Sequence, residues 1–163
     1  MNPVTVSTTI AKPREEVFTY LDDLANMPEF TDHFLTRWHL TRENAVGAGA
    51  GARFWIKLPL NRFSWSDLAV VEAEPHRIVA RGRGGKMNRT KSLVTLTLTP
   101  ATRGSTRVDW TWETVPVKIS DRIMEKVAGR GWWKRRMNRG LKRLRLILEE
   151  DRERGNRATV AGG

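Results

Sequence analysis

Between residues 35 and 114 the chain passes through six stretches of period-two alternation, joined by turns too short to hold a helix. They fall at 35–43, 53–58, 63–74, 77–82, 89–99 and 107–114, and "VTVSTTI" at residues 4–10 adds a seventh. Strands that follow one another without intervening helices pair as an antiparallel meander, because parallel pairing needs a long crossover. From about residue 117 to 153 the period becomes helical, with Ile119, Ile123, Met137, Leu141, Leu144 and Leu148 on one side. Seven antiparallel strands curl strongly through their twist, and one amphipathic helix is too narrow to fill the concave side. The expected architecture is therefore α+β, a curved sheet of about seven strands gripping one long carboxy-terminal helix, with a cavity between them.

The segment between the first two strands reads as two short helices. Pro13 suits a first-turn position, Glu15 and Glu16 favour the amino-terminal dipole, and Val17, Phe18 and Leu21 form an apolar stripe before Pro28 interrupts. Glycines at 47, 49 and 51 invite a phosphate-loop reading. A strand rather than a helix follows them, however, and there is no Gly-Lys-Ser/Thr, so they read as a turn.

Several chemistries are absent from the residues themselves. The 163-residue chain has no cysteine, and His33, His39 and His76 show no metal-ligand spacing, so neither disulfide, thiolate, metal nor other cofactor is implied. No apolar run reaches membrane-spanning length, and the opening residues lack a basic, apolar leader, so a cytoplasmic protein is expected. The net charge of +11 suggests affinity for anionic surfaces, and much of the excess lies on the last helix.

Alternation places Val108, Trp110, Trp112 and Thr114 on one face of their strand. Two readings stand for the indoles: core filling, or an aromatic wall for a flat apolar ligand. Thr90 and Ser92 run in phase with Val94, Leu96 and Leu98, so with Thr114 they are candidate hydrogen-bonding groups in a pocket, alongside Phe54 and Ile56. If alternation from Phe63 holds, Trp65 and Asp67 also point inward, and a desolvated Asp67 carboxyl could act as a general acid or base. A bulge would reverse that phase and leave Asp67 on the surface. An unbroken last helix would aim Arg130 at the pocket with Met137, but Gly129 and Gly131 interrupt the register, so either Arg130 or Trp133 faces inward. Arg135, Arg136, Arg139, Lys142 and Arg143 form either a solvated face or a contact for anionic lipid or RNA.

Four stretches resemble the START-like (SRPBCC, helix-grip) superfamily, most closely its polyketide cyclase/dehydrase branch. They are "VSTTIAKPREEVFTYLDDLANMPEF", "VVEAEPHRIVARG", "GSTRVDWTWE" (with Ser105 inserted between glycine and threonine) and "LKRLRLILEE". The resemblance spans residues 3–150. It implies a helix-grip domain over residues 1–153 and an apolar pocket under the last helix, while the polar, glycine-containing residues 154–163 read as a disordered tail. The implied function is binding of a polyketide-, lipid- or aromatic-like molecule, with cyclase or dehydratase activity left open. The alternatives are a lipid or quinone carrier without catalysis, and an adaptor docking its basic helix on RNA, the ribosome or an anionic membrane. No catalytic motif of the superfamily maps residue by residue, and the chain is expected to be a monomer or homodimer.

Overall fold

The computed structural model describes residues 2–85, 90–116 and 129–160. Strand β1 (Val4–Ile10) leads into α1 (Arg14–Asp22), a 3-10 turn (Leu24–Asn26) and α2 (Met27–Thr31). There follow β2 (Leu35–Leu40), β3 (Gly51–Leu58), β4 (Arg62–Glu74), β5 (Arg77–Gly84), β6 (Thr90–Pro100) and β7 (Thr106–Pro116). The chain ends with α3 (Arg130–Glu150) and β8 (Thr159–Val160). The sheet order is β1-β7-β6-β5-β4-β3-β2-β8. All the expected neighbours pair antiparallel, and β8 adds a short parallel strand on β2. The architecture is the α+β helix grip that the strand pattern implied. Ile119, Ile123 and the expected start of the last helix at residue 117 lie outside the described residues.

Local chemistry explains the element boundaries. Pro13, with φ −65° and ψ 152°, caps α1 rather than entering it, and Glu15 and Glu16 occupy the first turn. Gly47 and Gly49 take positive φ (77° and 94°) in the turn before β3, which is what the glycine run is for.

The inner face of the sheet is organised in rows of directly paired residues that change in size along the strands. Val108 faces Leu98; Val6, Trp110, Leu96 and Ile78 make the next row; Val4, Trp112, Val94, Ala80 and Val70 the one after. Helix α3 lies over these rows with Trp133, Met137, Leu141, Leu144 and Ile147 buried beneath it. Gly140 brings the helix close: a Cβ there would stand 3.1 Å from Trp110 Cζ3 and 3.4 Å from the Phe30 carbonyl. Trp110 also meets the edge of Phe30, with centroids 6.1 Å apart. Burying an indole of this size contributes on the order of 5 kcal/mol by area.

His33 joins α2's end to the helix. Its Nε2 lies 2.9 Å from the Arg136 carbonyl, a contact only an N–H can make, so the proton sits there and the buried Nδ1 has no partner. Burial, and then the arginines at 139, 143 and 136, hold this imidazole below its ordinary value, against the opposing pull of the Arg136 carbonyl.

The residues after α3, expected to be disordered, are tied down as far as Val160. Arg154 donates to Glu29 Oε2 (2.9 Å), which also accepts from the Tyr20 hydroxyl (2.6 Å). Gly155 N–H donates to the Glu29 carbonyl (3.0 Å) and Ala158 N–H to the Ala25 carbonyl (2.9 Å). Arg157 pairs with Asp23 before β8 docks on the edge of β2. Gly155 cannot carry a side chain, because a Cβ would lie 2.6 Å from Asp32 Oδ2 and 3.0 Å from the Glu29 carbonyl. The polar tail composition hid this, because the partners are a buried carboxylate and backbone carbonyls rather than a hydrophobic surface.

The Glu29 carboxylate is 2% exposed, whereas the Arg154 side chain is 43% exposed. Arg154→Ala therefore leaves a buried charge with only Tyr20 as partner. It should cost ~2 kcal/mol in urea unfolding, below the range for fully buried pairs because Arg154 is partly solvated. The His33 imidazole is neutral in the folded chain where the unfolded chain already takes up a proton. Its contribution to stability should therefore be lost as pH falls below the ordinary imidazole value of about 6.5. Comparing unfolding at pH 7.5 and 5.5 checks this, since His33→Gln should narrow the difference; an unchanged difference removes His33 from the pH dependence.

Candidate functional site

Beyond the Trp112 row, the inner face changes character. The next row is Thr114, Ser92, Gly82 and Leu68, and the last is Thr90, Gly84 and Ser66. Small and hydroxyl-bearing residues thus replace the indoles. Two of them are glycines for want of space: a Cβ on Gly84 would lie 2.1 Å from the Trp65 carbonyl, and one on Gly82 2.3 Å from Ser92 Oγ. The backbones of β4 and β5 are pressed together here, so β5 can carry no side chain at Gly82 or Gly84.

This end holds a half-open cavity of about 30 Å³ bordered by Ile56, Ser66, Thr90, Ser92, Trp112 and Thr114. Ser92 Oγ and Trp112 Nε1 both belong to side chains on its wall, both are buried, and neither has a hydrogen-bond partner. A buried donor left unmade costs about 1–3 kcal/mol, so two at one small cavity are an expensive feature to keep. Thr114 is held by an interaction of its own. No carboxylate or imidazole among the described residues borders the cavity.

The sequence-derived residues divide accordingly. Ile56, Thr90, Ser92, Trp112 and Thr114 come together at the cavity. Phe54, Trp110 and Met137 lie inside the core, each fully buried. Both indoles pack against α3 among the described residues: a Cβ on Gly140 would stand 3.1 Å from Trp110, and Trp112 packs on Trp133 with centroids 5.0 Å apart.

Three assignments are corrected. The phase of β4 is opposite to the one read from Phe63: Ser66, Leu68 and Val70 are buried, whereas Phe63 is 53% exposed. The register shift comes later, between Val70 and Glu72. Asp67 consequently sits on the outer face, in a bidentate ion pair with Arg53 at 2.6 and 2.8 Å, which explains its carboxylate without any acid–base role. The Trp65 ring is on that outer face too, 5.1 Å beneath the Arg53 guanidinium, although its backbone carbonyl abuts Gly84 at the cavity. Arg130 is exposed and donates to the Pro3 carbonyl (3.2 Å); Trp133 is the residue that faces inward. Gly129, with positive φ, is the cap of α3, so the register of the helix is counted from Arg130.

On the basic helix face, Arg135, Arg139 and Lys142 are exposed, and Arg136 lies 5.6 Å from the Trp132 ring. Arg143 is not part of a free surface: it pairs with Asp32 and donates to the carbonyls of Glu29 (2.9 Å) and Glu153 (3.0 Å).

Ser64, Ser66, Gly82 and Gly84 escaped the sequence reading. Their signal was the alternation "SWS" in β4 and "GRG" in β5, in phase with Leu68, Val70 and Ala80.

Among the described residues no group of three potential metal ligands occurs, and no helix is long and apolar enough to cross a membrane. No curated protein matches the sequence. Solved structures match over nearly the whole chain at low identity, which speaks to fold alone. The KanY protein superposes with a TM-score of 0.72 at 15% identity, covering 90% of this chain and 96% of that one. A START superfamily protein from Mycobacterium smegmatis gives 0.64 at 14% identity, covering 90% and 96%. Major latex-like protein 151 from Panax ginseng gives 0.66 at 8% identity, covering 90% and 97%. A family model described as "Polyketide cyclase / dehydrase and lipid transport" matches residues 1–149, nearly the whole chain, and this establishes that the chain belongs to that family.

Proposed function

We propose that the chain binds a small hydrophobic molecule between the inner face of the sheet and α3, with a polar group of that molecule lodged among Thr90, Ser92, Trp112 and Thr114. The observation that carries this reading is the pair of unpartnered buried donors, Ser92 Oγ and Trp112 Nε1, on the wall of one cavity. A hydroxyl or carbonyl oxygen placed there accepts from both and removes their desolvation cost. The family's description, which couples cyclases with lipid transport, supports an apolar body for the rest of the molecule.

A cavity of about 30 Å³ accommodates one functional group. A larger ligand therefore enters by separating surfaces that are closed here. The Trp112–Trp133 contact is the one that yields, because Trp133 belongs to the first turn of α3 and borders the hydroxyl end. The proposed role is reversible binding, as in a carrier. Among the described residues no titratable group borders the cavity, so a cyclisation or dehydration would rest on pocket shape and hydroxyls, with Asp67 on the opposite face of the sheet.

Native mass spectrometry of the purified chain, followed by mass analysis of extracted material, should find an apolar compound near one-to-one stoichiometry. A chain that carries nothing and also fails to bind long-chain fatty acids and apolar dyes would sink the proposal. Ser92→Ala separates ligand binding from stability. Removing an unpartnered hydroxyl should leave the free protein equally stable or up to ~1 kcal/mol more so, while ligand affinity drops about fivefold to tenfold. Loss of stability with unchanged affinity would mean that Ser92 serves the fold alone.

A further inference from the structure

The outer face of the sheet gathers cations without partners. One row across β3–β7 runs Arg53, Asp67, Arg83, Lys91 and Val115; the next runs Ala69, Arg81, Leu93 and Glu113. Asp67 is committed to Arg53. Arg83 stands directly opposite Lys91, an arrangement of like charges that destabilises a sheet. Among the described residues, no ion pair engages Arg42, Arg81, Arg83 or Lys91. These four, together with the Arg53–Asp67 pair and Glu113, line an open groove of about 870 Å³.

Aromatic rings border the groove on the same face. Trp55 and Trp65 are direct cross-strand partners on β3 and β4. Arg37 lies 5.5 Å over Trp55 and Arg53 lies 5.1 Å over Trp65. Phe63, half exposed, meets Trp55 edge-on at 6.4 Å. Large aromatics on the solvent side of a sheet do nothing for the core, and here they continue directly into a cationic groove through Arg53.

We propose that the outer face of β3–β6 binds single-stranded nucleic acid, with phosphates in the groove on Arg81, Arg83 and Lys91 and bases stacked on Phe63, Trp65 and Trp55. A cationic groove that follows a backbone, flanked by rings that accept any base, is the chemistry by which single strands are held. A duplex offers no free base faces to those rings. A bilayer is flat and meets the rim of a concave groove but not its floor, so the groove's cations fit a chain-like polyanion better. The site lies across the sheet from the proposed ligand cavity, and the two readings stand or fall separately.

The test is fluorescence anisotropy of a labelled 20-nucleotide oligouridine with the full chain. With Arg42, which also lines the groove, Arg81, Arg83 and Lys91 make four phosphate contacts and give a log–log salt slope near −2.8, so affinity should fall about fiftyfold between 50 and 200 mM salt. The triple variant R81Q/R83Q/K91Q should weaken binding at least about tenfold at 50 mM salt and flatten the slope to about −0.7. Phe63→Ser, at an exposed ring, should weaken binding about fivefold or more with little change in the melting temperature. The control R135Q/R139Q/K142Q removes the same charge from α3 and should leave most of the affinity. The proposal is overturned if the oligonucleotide does not bind at 20 mM salt, or if the α3 control weakens binding as much as the groove variant. Binding to phosphatidylserine vesicles but not to oligouridine overturns it as well.

Discussion

Everything in this molecule depends on how closely α3 can approach the two central indoles. Gly140 sets that distance, since a Cβ at this position would press within 3.1 Å of Trp110. A glycine in mid-helix sacrifices about 1 kcal/mol of propensity. That loss is small beside the burial of Trp110, Phe30 and Phe34, all essentially inaccessible to solvent. With the helix seated on Trp110, its amino-terminal turn swings Trp133 onto Trp112 and Phe34, with ring centroids 5.0 and 6.0 Å away. Aromatic edges and faces then meet in the middle of the grip, and among the described residues the pocket beside Trp112 lies toward the end where the rows turn small.

That displacement gives the site its physical character. The middle rows carry large apolar side chains, with one buried donor of their own left unpartnered at Trp110 Nε1, whereas the small end is lined by hydroxyls and bounded by backbone at Gly82 and Gly84. The two unpartnered donors there are a local cost borne by a structure whose stability comes from elsewhere, chiefly the core beneath α3 and the tail bound at Glu29. A binding site that is strained when empty and relieved when filled is the arrangement in which a ligand stabilises the closed form.

Strand existence and order were legible because alternation and turn residues carry them locally, as did the single long helix. The direction of β4 was not. Ala69 and Val71 are as apolar as Leu68 and Val70, so hydrophobicity alone assigns no inner face, and the large rings of Phe63 and Trp65 pulled the reading the wrong way. What decides the phase is non-local: Phe54, directly opposite Ser66, is committed to the core by its stack on Trp38 at 4.3 Å, so β4 must follow it. The contacts of the tail were hidden for a similar reason, because Arg154 and Gly155 both find their partner on Glu29, more than a hundred residues away in the sequence. Arg130 and Trp133 could not be separated from spacing, since α3 begins after its cap at Gly129 and the register has to be read from there.

The outward rings of β3 and β4 connect these points. Because the side-chain period of a strand is two, every residue that fixes the inner face also fixes what its neighbours display outside. Placing Phe54, Ile56, Ser64 and Ser66 inward obliges Trp55, Phe63 and Trp65 to stand outward, beside Arg53 and in line with Arg83 and Lys91. Lysine, serine or threonine at these outward positions would satisfy the fold equally well and at less risk, since exposed rings on a sheet promote association. The aromatic choice therefore has to be explained by what the outer face meets. Guanidiniums already lying over two of the rings show that this surface stabilises flat cations by stacking, the same geometry in which a nucleobase is held between an arginine and an indole.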